Sequence, residues 1–136
     1  MNNIDLEKKV KSLVHSLRHE KGIVSSVDVL MGLDYLSKKD YEDWRFGKVD
    51  YLERVCKANL SKLTLINQTI RRTAKELKLK PSWTAYNKFG KGKKYGLRFS
   101  KSGNIKIEEA YSTHYIDKER INILKIEKSQ QVKYHI

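Results

Sequence analysis

Apolar residues near the start of the chain recur mostly every three or four positions. Ile4, Leu6, Val10, Leu13, Val14 and Leu17 form one stripe, which predicts a helix over 4–20. Asn3 serves as its N-cap, Asp5 and Glu7 sit where the helix dipole favours anions, and Gly22 ends it. Ser25 or Ser26 caps a short second helix through Val27, Val29, Leu30 and Leu33, which Gly32 weakens. Ser37 caps a third, with Asp40 in the capping-box position, Tyr41 and Trp44 on one side, and Gly47 as the stop. Asp50 caps a fourth helix over 50–57, carrying Tyr51, Leu52, Val55 and Cys56. A turn at Lys57-Ala58-Asn59 leads into the longest helix, from Ser61 to about Leu79, on Leu60, Leu63, Ile66, Ile70, Ala74 and Leu77. Lys80-Pro81 ends it, because the residue before proline avoids the helical region.

Beyond Pro81 the period becomes two. Trp83, Ala85, Asn87 and Phe89 alternate with Thr84, Tyr86 and Lys88, and Tyr95, Leu97 and Phe99 alternate with Gly96, Arg98 and Ser100. Gly90-Lys91-Gly92-Lys93-Lys94 between them completes a β-hairpin. The expected inner face holds Trp83, Phe89, Tyr95, Leu97 and Phe99, and the wet face Tyr86, Lys88 and Arg98. Segment 105–116 fits either state. Ile105, Ile107, Tyr111, Thr113 and Tyr115 share a strand face, whereas Asn104 as cap and Glu108 and Glu109 in the first turn suit a helix, which is slightly favoured.

These elements predict a mostly helical α+β domain over 1–136, with a C-terminal-half β-hairpin in a winged-helix-like order. A helical part spans 4–57, a basic helix plus hairpin 58–101, and a loosely attached tail 117–136, whose residues from Gln130 onward are expected to fray.

Charge carries the strongest functional signal. Residues 54–101 carry fourteen Lys and Arg against Glu76 alone, which equals the +13 net charge of the whole chain. The flanking blocks are close to neutral. A positive field this concentrated attracts polyanions. The expected partner is nucleic acid, DNA or RNA, met mainly at its phosphates. The expected contacts are Lys62, Arg71, Arg72, Lys75, Lys78, Tyr86, Lys88, Lys91, Lys93, Lys94, Arg98 and Lys101. Arg71, Lys75 and Lys78 form one cationic stripe, Asn67 and Gln68 are of types that read adenine, and Tyr86 is the aromatic placed to stack on a base. The first turn of the helix, Ser61-Lys62-Leu63-Thr64, is less basic than its second half, which favours backbone contact over base reading.

Other chemistries are thinner. His15 and His19 have a metal-like i, i+4 spacing but no intervening glutamate and no third ligand nearby. His114 near Tyr111 and Glu109 has the makings of an acid or base. Asp34, Asp40, Glu42, Asp43 and Asp50 would suit a metal-dependent nuclease only if they converged. The glycine-bearing loop lacks P-loop spacing. No catalytic residue, metal or cofactor is expected. A small interaction module, an inhibitor or adaptor docking on an acidic or nucleic-acid-bearing partner, is the alternative, with Trp44 and Phe46 as its anchor, although Trp44 is expected rather in the core. The single Cys56 suits a reducing cytosol. The opening MNNIDLEKKV has no apolar run of the secretory type, and no stretch approaches a membrane span, so a cytoplasmic location is expected.

The strings Tyr41-Glu-Asp-Trp-Arg-Phe-Gly47, Tyr51-Leu-Glu-Arg54 and Leu97-Arg-Phe-Ser-Lys-Ser-Gly103 resemble blocks in small bacterial proteins. The resemblance implies a bacterial or mobile-element source and no activity.

Overall fold

A computed structural model describes residues 1–134. Helix α1 (Asn3–Lys21) is capped by the Asn2 side chain, which accepts from the Asp5 amide. It stops at Gly22, whose φ of 71° suits glycine; a Cβ there would also strike Ile121. The two-residue strand β1 (Ile23–Val24) follows, then α2 (Ser26–Gly32), capped by Ser25, and α3 (Lys38–Arg45), capped by Ser37. The helix expected over 50–57 is only a 3-10 turn, Leu52–Val55. Its amides at Leu52 and Glu53 donate to the carbonyls of Arg98 and Phe99, so this segment is tied to a distant stretch of chain as well as to itself.

The long helix α4 (Leu60–Glu76) is capped by Asn59 and buries Leu63, Ile66, Ile70 and Ala74. It ends earlier than the proline rule suggests. Lys78 takes a left-handed φ of 57°, and the chain at once enters strand β2 (Lys80–Trp83). Helix α5 (Ile105–Ser112) runs straight into strand β3 (Thr113–Ile116), so segment 105–116 is helix and strand in turn. Helix α6 (Lys118–Tyr134) closes the described chain. Its first turn is held by Arg18, which meets Asp117 at 2.9 Å, and by Arg120, whose Nε donates to the His19 carbonyl. Of the tail 117–136, residues 135–136 lie outside the described residues.

The hairpin expected over 83–99 is replaced by a three-stranded antiparallel sheet in the order β1-β3-β2. The central strand β3 pairs Ile116 and Tyr115 with Ile23 and Val24 on one side. On the other side Pro81 faces Tyr115 and Trp83 faces Thr113. Within 84–100 one bridge, Asn87 to Gly96, is what remains of hairpin pairing. The mixed α+β composition therefore stands, with the strands recruited from three distant stretches of the chain.

The core is built from α1, α2, α4 and an aromatic cluster. Trp44 is fully buried, packs against Tyr41, Tyr86 and Phe99, and donates from Nε1 to the Arg98 carbonyl. Phe99 stacks flat on Tyr111 at 5.3 Å. Trp44 is thus no surface anchor, and Phe46, although exposed, meets Phe89 edge-on. Among the described residues no helix is long and apolar enough to cross a membrane.

Candidate nucleic-acid interface

Burial of one face of α4 leaves Leu60, Thr64, Gln68, Arg71 and Lys75 on the other, at helical spacing. This outer stripe forms one wall of a groove, and α5 forms the opposite wall with Ile107 and Ala110. Tyr111 and Leu60 make part of the lining apolar, and Arg71, Lys101 and Lys106 add cations. The groove encloses about 680 Å³. It continues past Asn67 and Arg71 into a second depression of about 660 Å³, where Lys75 and Lys106 face Pro81, Thr113 and Tyr115 of the sheet. Burial pushes the Tyr115 phenol up, and the nearby Arg71 guanidinium opposes that shift.

The expected contacts fall into distinct groups. Arg71, Lys75 and Lys101 share the groove, joined by Lys106, which lies just outside the basic block. Arg72 points elsewhere, with Nη2 3.9 Å from Glu7 of α1. Lys62 is half-buried and Lys78 exposed at the end of α4. Lys88, Lys91, Lys93 and Lys94 sit on the 84–100 loop, which is fastened to the end of α3. The Phe89 amide donates to the Arg45 carbonyl, and the Arg45 guanidinium lies 3.8 Å from the Phe89 ring centre. Gly47, at φ 76°, lets the Tyr95 hydroxyl approach where a Cβ would block it. Arg98 lies over Tyr51. Between the two groups runs the stretch from Tyr95 to Lys101.

Tyr86 corrects an expectation. It is 8% exposed, with its hydroxyl 2.7 Å from His114 Nε2, so it is part of the core and no stacking surface. Of the aromatics expected inside, Phe99 is buried and the other three lie outside. Trp83 is 70% exposed, and Phe89 and Tyr95 are exposed as well. Asn67 is also partly committed, since its Oδ1 accepts from Ser26 Oγ at 2.7 Å.

Two acids near the site, Glu108 and Glu53, are engaged in holding the fold, while Glu109 is exposed at the second depression. Glu108 accepts from the amides of Phe99 and Ser100 and from Ser100 Oγ. Glu53 accepts from the Lys101 amide and from the Tyr111 hydroxyl, and burial with Glu53 beside it pushes the Tyr111 phenol well up. Of the fourteen cations in 54–101, only Arg54 and Arg72 lie within 4 Å of a carboxylate among the described residues. The remainder are not neutralised by a contact.

The acids considered for metal chemistry do not converge. Asp43 meets Lys39 and Asp50 meets Arg54, and among the described residues no three His, Cys, Asp or Glu gather to hold a metal ion. His114 is held below the usual imidazole range by burial, which outweighs the nearby Asp28. Lys106 was legible as a cation but not as a neighbour of Arg71, because only the docking of α5 beside α4 brings them together. Compared with family models, curated proteins and solved structures, the chain finds no match.

Proposed function

We propose that the protein binds nucleic acid, mainly through the phosphate backbone, by the groove beside α4 and the basic loop 88–101. The observation that carries this reading is the set of cations at the groove, Arg71, Lys75, Lys101 and Lys106, without carboxylate partners in a chain of net charge +13. Folding normally pairs or disperses like charges, since crowding them works against the compact state. Leaving them unpaired beside a concave surface suits a polyanionic ligand.

The order of elements lends support. Helix, strand, helix, then α4, β2 and β3, with β3 central in the sheet, is compatible with a winged helix-turn-helix in which α4 is the exposed helix. In that reading α2, and not segment 50–57, partners α4, with 33–59 inserted between them. Residues 84–112 then stand where a wing would.

A second reading draws on the apolar lining. Leu60 and Ile107 are exposed at a groove that also holds cations, a surface on which an acidic amphipathic segment of another protein would dock. Purification at low salt with and without nuclease separates the two. Nucleic acid that co-purifies and is removed by nuclease, leaving no stoichiometric partner, supports nucleic-acid binding. A stoichiometric protein that survives digestion favours the second reading.

A further inference from the structure

We propose that the face between α4 and the β2–β3 ladder takes single-stranded nucleic acid, with Trp83 stacking on an unpaired base and Arg71, Lys75 and Lys106 holding the neighbouring phosphates. This rests on the nucleic-acid reading above and names the kind of strand.

The strand register supplies the geometry. Pro81 and Trp83 are two residues apart on β2, so their side chains leave the same face of the sheet. Their partners on β3 are Tyr115 and Thr113. Pro81, Thr113 and Tyr115 all line the depression that holds Arg71, Lys75 and Lys106. Trp83 therefore stands on the same sheet face as three cations, at its open end. Among the described residues the only acid lining that depression is Glu109.

Exposure selects the residue. The chain has two tryptophans, of which Trp44 is fully buried and Trp83 is 70% exposed. Covering a large ring that stands in water on a regular strand is favourable. The cations beside it choose the cover. They attract an anion, and the ring adds a flat π surface, which together match a base and its phosphates. In a duplex the base faces are already stacked on one another, so only an unpaired stretch presents one to the ring.

The two tryptophans make the test direct. The intact protein is titrated at fixed low salt with a short oligothymidylate and with a duplex carrying the same number of phosphates, while tryptophan emission and affinity are followed. The single strand is expected to quench emission, and Trp83→Phe to abolish the quench while Trp44 still emits. Trp83→Ala is expected to weaken single-strand binding about tenfold, to leave duplex binding unchanged, and to melt with the parent because the ring is exposed. Equal single-strand affinity in Trp83→Ala, or quenching by the duplex as strong as by the single strand, overturns the proposal. Quenching by an acidic amphipathic peptide but by no oligonucleotide overturns it too. If Trp83→Ala is silent while Arg71→Ala with Lys75→Ala weakens all nucleic acids, the stacking surface fails and nucleic-acid binding stands. If no nucleic acid binds, both fail.

Discussion

The Tyr86 hydroxyl and His114 Nε2 lie 2.7 Å apart, joining the 84–100 loop to the central strand β3. Burial pushes the Tyr86 phenol up to about 12, so near neutral pH it keeps its proton. Burial also lowers the His114 pKa, against the pull of Asp28, so the folded state favours the neutral imidazole.

A pH dependence follows from that pair. The unfolded chain binds a proton at His114 at higher pH than the folded one. The contribution of neutral His114 is thus complete above the ordinary imidazole value of about 6.5. It is lost as pH falls from there through the lowered folded value. Denaturant melts across this window should show stability rising with pH, and His114→Gln should flatten that rise. Tyr86→Phe should cost about 1 kcal/mol at neutral pH.

Glu108 should matter more to stability than its half-exposed position suggests. Its carboxylate accepts from two backbone amides at Phe99 and Ser100, both buried residues, and from the Ser100 hydroxyl at 2.6 Å. Glu108→Ala leaves those donors without partners and should destabilise the fold by about 2–3 kcal/mol in urea unfolding. Glu109→Ala, one residue along on the exposed side, should change stability by less than about 0.5 kcal/mol.

Adjacent arginines on α4 should separate. Arg71 lines the groove, whereas Arg72 turns toward Glu7. Arg71→Ala should weaken nucleic-acid binding and lower the salt slope by about 0.7–0.9, the value of one phosphate contact. Arg72→Ala should leave the slope unchanged. Equal slopes for the two variants would move the interface off the groove.

How far the chain announces its fold depends on the range of the interactions. The capping side chains Ser25 and Ser37 act within a few residues, and α2 and α3 follow from them; α1 and α4 follow from apolar spacing, though Asn2 and Asn59 cap them and not Asn3 or Ser61. The sheet does not, because Ile23 pairs with Ile116 across most of the chain and β1 has only two residues. The same long reach misled the reading of 83–99. With a period of two, the pairing partner decides which face of a strand is inward. β2 pairs with β3 and leaves Trp83 outside, whereas Tyr86, beyond β2 and still bonded to Leu97 of its own return, turns inward onto Trp44 and Phe99. The cationic block was plain from composition. Its division into a groove and a loop was not, since it depends on α5 lining the groove opposite α4 and on Arg45 clamping Phe89.

On the proposed function, Arg71, Lys75, Lys101 and Lys106 replace counterions on a nucleic-acid backbone. The affinity for a short single strand, measured from 50 to 200 mM salt, tests it most directly. Four phosphates at about 0.7 each predict a fall of about 50-fold across that range. An affinity that stays flat over the same range would contradict the account.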